Sequence, residues 1–354
     1  MPQDCELTTP MRKAITVINE PIGSRQITSC LLSTIFLLGG HPVRAEDKPF
    51  LERVKTIALK GPAGRLDHLA LDSRGERLFV ANMANSSLDI VDLKACKLIK
   101  QVPGQKGIQG IAYVPDLDRV FVGNGEGKAC NVFSGKDYRL LKSIELADAD
   151  NVRYDPATRR IYVAHAEKAL AVIDAKTMEI VKDIKLPASP EAFVLDVGGR
   201  RLFLNSPSPS QVVVVDLEKQ AVVKSYPVKS AGANYPLALD QKSQRLFIGC
   251  RKKPLMVVMD TETGKEVTSL AIPGDCDDLF FDARRKRIYA SCGEGILAVI
   301  GQKEPDRYEM LARIPTVKVA RTSLFDPATG RLFLVGPRRP QTEGPEVRVY
   351  QARP

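Results

Sequence analysis

Tryptophan is missing from all 354 residues, and aromatic side chains make up only 6% of the chain. A surface that stacks successive bases of a single strand therefore lacks its best residue. Histidine is almost as scarce, with three copies, and there is neither a CxxC nor a Cys/His cluster at metal-ligand spacing, so a structural zinc is not expected. No nucleophile elbow and no Ser/His/Asp constellation can be read, which leaves covalent hydrolase chemistry without a sequence signature. Long apolar runs are also lacking. The segment at residues 27–38 is too short to span a bilayer comfortably.

What the chain has in abundance is one phrase. Arg77-Leu-Phe-Val, Arg119-Val-Phe-Val, Arg160-Ile-Tyr-Val, Arg201-Leu-Phe-Leu, Arg245-Leu-Phe-Ile, Arg287-Ile-Tyr-Ala and Arg331-Leu-Phe-Leu follow one another at intervals of 41 to 44 residues. A strand-like repeat of that length is the period of a propeller blade. Five residues before the arginine stands an aspartate in six repeats (Asp72, Asp155, Asp196, Asp240, Asp282, Asp326), with Val114 in the second. The intervening segments, such as Asp155-Pro-Ala-Thr-Arg, read as tight turns, because Asp caps a turn through its side chain and Pro presets φ. Aspartate and arginine thus bracket a hairpin between a first and a second strand. A third strand ending near an aspartate and a fourth ending near a proline complete the repeat. The seventh repeat stops after its third strand, Val347 to Tyr350, while residues 53–60 carry the missing pattern ahead of the first repeat. The expectation is an all-β, seven-bladed propeller of four-stranded blades. Its ring is closed by the N-terminal strand joining the last blade, which removes an exposed sheet edge.

A hydrophobic fraction of 44% is ordinary for a globular chain. One repeat array is one domain, assigned to residues 46–354. Residues 1–45 stand apart: Arg12, Lys13 and Arg25 precede the apolar segment, and Val43-Arg44-Ala45 offers small residues where a signal peptidase reads. This reads as a secretory leader, with Met11 an alternative start. The mature protein would be periplasmic or secreted, without a membrane anchor after cleavage, and monomeric. It would keep Cys96, Cys130, Cys250, Cys276 and Cys292, an odd number that argues against a full disulfide framework. Hairpin register puts Asp277 opposite Cys292 and Cys276 diagonal to it, so one bridge or five free thiols are both compatible.

The tandem pattern resembles the YVTN family of seven-bladed propellers, which includes periplasmic proteins similar to YncE. The resemblance rests on the strand, the Asp, the turn, the Arg followed by an aliphatic and an aromatic residue, the third strand ending in Val-x-Asp and the fourth ending in Pro. It covers residues 52–350, and the namesake tetrapeptide appears only in variants such as Ile161-Tyr-Val-Ala164. It implies a fold much more specifically than an activity, since related blades serve in binding proteins, electron-transfer subunits and hydrolases.

Function is sought where the repeat breaks. Counting from Asp72 opposite Arg77, the mouth of the central channel should carry the pairs Asp67 and Asn82, Gln109 and Asn124, Asp150 and His165, Glu191 and Ser206, Tyr235 and Cys250, Asp277 and Cys292, and Arg321 and Gly336. His68, Glu126, Asn151, Glu167 and Asp278 lie beside them. Both histidines of the mature chain fall at this level, and carboxylates come from four blades. Such a ring suits a divalent cation, calcium or magnesium through oxygens and zinc through imidazole, or a cationic group on a ligand or partner. The alternative reading is that these polar residues simply cap strand ends and face water. The opposite face carries Arg159 and Arg160, Arg200 and Arg201, and Arg284-Arg-Lys-Arg287 within a formal charge of +10, a surface that would attract nucleic acid or another anionic partner. The leading expectation is an exported scaffold that binds a small ligand or protein at an acidic mouth. A metal-dependent, lactonase-like hydrolase is the alternative, and nucleic-acid binding by the basic face is the weaker one.

Overall fold

The arginine phrase becomes the second strand of every sheet, and its lack of polar residues follows from where it sits. A strand covered by neighbouring blades on both sides has no solvent face, so it reads as a continuous apolar run rather than an alternating one. Leu78, Phe79, Val80 and Ala81 are all 0% exposed. The fourth strands, by contrast, form the outer rim and are largely exposed, as at Ile180–Lys185. The computed structural model describes residues 49–354 except 73, 75, 76, 166, 167, 197, 199 and 339–343. The expected leader and Glu167 lie outside the described residues.

Among the described residues the strands form seven four-stranded antiparallel sheets. Their inner strands are Leu69–Leu71, Ile108–Val114, Val152–Asp155, Phe193–Asp196, Gly232–Asp240, Cys276–Asp282 and Ser323–Asp326. They define blades I to VII. The closing strand, Leu51–Ala58, pairs antiparallel with Glu346–Ala352 of blade VII, running from Leu51 opposite Ala352 to Ala58 opposite Glu346. Packing seals the same seam. Ile57, Val335 and Val347 of blade VII share one buried cluster with Leu66, Leu78 and Val91 of blade I.

The Asp and Arg of the repeat face each other as expected, for example Asp155 opposite Arg160 and Asp240 opposite Arg245. Asp155 Oδ1 accepts from the Ala157 amide at 3.0 Å and Oδ2 from Thr158 Oγ1 at 2.6 Å, which is the side-chain cap of a tight turn. The arginine does more than close its own hairpin. Arg77 of blade I binds Asp72 and also Asp118 of blade II at 3.0 Å. Arg201 reaches Glu262 of blade V, and Arg245 holds Asp306 of blade VI through two bonds of 2.6 and 2.9 Å. Arg119 and Arg287 donate to carbonyls of Ala175 and Arg353 in the next blade. In five blades the repeated arginine is a tie to the next blade. Most of the charge assigned from sequence to a basic face is matched internally: Arg159 lies 3.1 Å from Asp116, Arg200 2.8 Å from Glu218 and Arg285 3.0 Å from Asp282, while Arg160 binds Asp174.

Candidate ligand site at the channel mouth

The mouth is built by the residues that lead into the inner strands. In blades I, III and IV the inner strand bulges at this level: the amides of Asp67, Asp150 and Glu191 donate to the carbonyls of Ala81, Ala164 and Asn205 at 2.8 to 2.9 Å, while the amides of Ala81, Ala164 and Asn205 donate to the carbonyls of His68, Asn151 and Ala192, so two residues oppose one and the expected pairing slips. In blades II, V and VI the slip carries through to the next pair. Ile108 rather than Gln109 faces Asn124, Asn234 rather than Tyr235 faces Cys250, and Cys276 rather than Asp277 faces Cys292. Each of these inner strands carries a bulge that inserts an extra residue opposite a regular partner. Pro236, which has no amide to donate, stands in one bulge. Gly110 stands in another, where a Cβ would lie 2.0 Å from the Asp150 carbonyl oxygen.

Seven of the expected residues converge. Asp67 is 1% exposed. Arg65 forms an ion pair with its Oδ2 at 2.8 Å and His68 Nε2 lies 3.8 Å from Oδ1, yet neither oxygen accepts a hydrogen bond of normal geometry. His68 Nδ1 lies 3.8 Å from Asp278, whose Oδ2 accepts from the Ser323 amide at 2.8 Å. Burial lifts Asp67 and Asp278 well above the usual carboxylate range, and mutual repulsion among the mouth carboxylates adds to it. The same causes push Asp150 up to about 6 and Glu191 up to about 7, with Asp277 a contributor to both. His68 is driven down to about 3 by burial and by the charges of Arg153 and Arg65. It is a neutral imidazole at neutral pH.

Asp277 and Arg321 join a tighter cluster. Arg321 binds both oxygens of Asp275, at 2.7 and 2.8 Å, and Asp277 at 2.8 Å. Arg251, stacked on the Tyr235 ring at 3.8 Å, binds Asp277 from the other side and donates to the Cys276 carbonyl at 3.1 Å. The expected acidic mouth is therefore mixed in charge: Arg65, Arg153, Arg251 and Arg321 stand among its carboxylates. Sequence reading found only Arg321. Arg153 and Arg251 carry a signal that was legible, since each lies close to a mouth position in its hairpin, but one that a search for acids passes over.

The remaining candidates do not converge. Asn82 donates to Asp89 Oδ2 at 2.9 Å and the Lys60 carbonyl at 3.1 Å, and Asn124 to Gln105 Oε1 at 3.2 Å, so both are occupied within their blades. His165, expected opposite Asp150, lies one residue past Ala164, whose carbonyl takes the Asp150 amide, and its imidazole turns to Asp183, with Nε2 2.9 Å from Oδ1. Asn151 accepts from Arg153 at 3.2 Å, Gln109 stays half-buried beside Gly125, and Glu126 is exposed at the rim. No set of three or more His, Cys, Asp or Glu side chains among the described residues is grouped to hold a metal ion. The carboxylates that do meet are matched by arginines or held apart, an arrangement that does not fit a divalent cation.

Beneath the mouth the channel holds a cavity of about 630 Å³, with His68, Arg153 and Asp278 at its upper end, Leu71, Ile111, Tyr113 and Phe280 along its wall, and Pro156 and Arg159 at its lower end. A second chamber of about 230 Å³ shares Arg153, Asp278 and Phe280 with it. Polar groups converging over an apolar wall are the usual composition of a small-molecule site.

No family model matches the chain. It is 26% identical over 196 residues to the uncharacterized protein YncE of Salmonella typhi, and 25% identical over 196 residues to YncE of Salmonella typhimurium. Each match covers 52% of this chain and 54% of the relative, so the similarity spans about half of the length of these curated relatives. In three dimensions it is similar to a chain of Kuenenia stuttgartiensis hydrazine synthase, with a TM-score of 0.71 at 17% identity, covering 78% of this chain and 94% of that one, which is a likeness of fold. The chain is a closed seven-bladed β-propeller, similar to YncE over about half of its length.

Proposed function

We propose that this propeller is an exported, non-catalytic binding scaffold that takes a small ligand at the channel mouth, with a hydrogen-bond-donating or cationic head against Asp67 and Asp278 and an apolar body in the cavity below. One observation carries the reading: Asp67 is almost fully buried while both of its oxygens lack a well-formed hydrogen bond. A buried carboxylate in that condition costs free energy unless a partner arrives. An ammonium or amidinium group would supply both the donors and the charge, and the apolar wall of Leu71, Ile111 and Phe280 would cover an attached chain or ring. Enclosure favours a small molecule over a protein partner.

The test is a panel of primary amines with apolar bodies, each set against its isosteric alcohol, read by thermal shift and calorimetry on the intact protein and on Asp67→Asn. Amines should raise the melting temperature of the parent and bind at least tenfold more weakly to the variant. No shift across the panel, or an equal shift in the variant, overturns the reading. Export has its own test. The chain expressed with its full N-terminus should be recovered from the periplasm or medium with the mass of a product starting at Glu46, and an uncleaved cytoplasmic product would overturn that part.

A further inference from the structure

We propose that Cys276 and Cys292 form a cross-strand disulfide that pins the bulge of blade VI at the channel mouth. Sequence counting placed these residues diagonally, and the bulge brings them face to face. The Gly293 amide donates to the Asp275 carbonyl at 2.8 Å, the bond that flanks a non-hydrogen-bonded antiparallel pair at 276 and 292. Residues so paired have Cα atoms about 4.5 Å apart and side chains on the same face, within the span of about 4.4–6.8 Å that a disulfide bridges. Both side chains are 0% exposed and belong to one buried cluster. The other described cysteines, Cys96, Cys130 and Cys250, have no cysteine opposite them in any strand pairing, and all five are free thiols in the structure.

The bond would act on the site because of what flanks it. Asp275 and Asp277, on either side of Cys276, bind Arg321 and Arg251, and Arg251 also holds the Cys276 carbonyl. Fixing Cys276 to the second strand fixes the backbone that aims this four-charge cluster. The chemistry is exchange with an external disulfide. One cysteine thiolate attacks a sulfur of R–S–S–R and releases one RSH. The other then attacks the mixed disulfide and releases the second, so the protein loses two hydrogens and the oxidant gains them. The hydrogen bond with the Cys292 thiol, and then burial, raise Cys276 well above the usual thiol range, so exchange belongs to the stage before blade VI closes.

Refolding the reduced full chain in a glutathione redox buffer, blocking with N-ethylmaleimide and digesting with trypsin tests this without depending on export or on any ligand. The expected product is peptide 266–284 joined to peptide 288–303, which separates on reduction. Dithiothreitol should lower the melting temperature of the parent but not that of a Cys276→Ala/Cys292→Ala variant. Recovery of both peptides singly alkylated from folded protein, linkage to any other cysteine, or equal sensitivity of the two proteins to dithiothreitol overturns the proposal.

Discussion

The two ends of the channel treat charge in opposite ways. At the turn end, where the repeat places the same Asp and Arg in blade after blade, hydrogen bonds overcome burial and raise the pKa of Arg77 and Arg201, and bonds to Asp306 do the same for Arg245. Folding there favours the charged state. At the mouth, where every blade contributes a different residue, burial lowers His68 and Arg153 and raises Asp67, Asp150, Glu191 and Asp278. Folding there opposes it. The Arg251 and Arg321 cluster resembles the other end most, because two arginines are matched there to two carboxylates, whereas Asp67 has Arg65 alone. A repeated charge serves the ring, whereas an unrepeated, unmatched one stores a cost that a bound ligand can relieve.

The sharpest way to break this comparison is to remove a tie. Arg245→Ala leaves Asp260 and Asp306 without their cation and cuts blade V from blade VI. Several charge-assisted bonds are lost from side chains that are 19 to 33% exposed, so the expected loss is about 2 kcal/mol after allowing for solvent screening. Melting temperature should fall by several degrees. A change within the error of the melting curves would mean that the repeated arginines are ornamental.

The opposite sign is expected at the mouth. Glu191 has a raised pKa, so relative to the unfolded chain it contributes stability below about pH 4.5 that is lost as pH rises through about 7. Glu191→Gln removes that loss. The variant should match the parent near pH 4 and exceed it at pH 8 by about 1 kcal/mol, a figure reduced for the partial exposure of the side chain. Melting curves at the two pH values decide it. A variant less stable at pH 8 would show that Glu191 is a satisfied structural group.

The ring was legible in the sequence because it is written seven times. The phrase at Arg77 and its six copies fixed both the strand order and the hairpin register, since Asp72 and its counterparts mark the turn. The closing strand could be found from the fourth-strand pattern missing at Tyr350. The mouth was less legible, for two physical reasons. Bulges at Gly110, Pro236 and Asp277, and at His68, Asn151 and Ala192, shift six hairpins by one residue, and a one-residue shift moves a side chain away from its expected partner. Register also says which residues are opposite, not where their side chains turn. Asn82 and Asn124 sit where counting put them but point into their own blades.

His165 is the clearest case, and the smallest predicted effect tests it. Counting set it opposite Asp150, but the Asp150 amide bonds the Ala164 carbonyl and the His165 ring bonds Asp183 on the fourth strand of the same blade. Burial would raise Asp183, yet the bonds from His165 and Lys185 hold it below the usual carboxylate range, so the contact favours the ionised acid. A double-mutant cycle between His165→Ala and Asp183→Ala should show a coupling of about 1 kcal/mol, as expected for a hydrogen bond to a charged group that is partly open to solvent. The cycle between His165→Ala and Asp150→Ala should be additive to within about 0.5 kcal/mol, since the two side chains share no partner. Coupling to Asp150 instead would bring the imidazole back to the mouth and add a second histidine to the site. Additivity there leaves His68 as the mouth's single described histidine, with His165 on the structural side of the comparison.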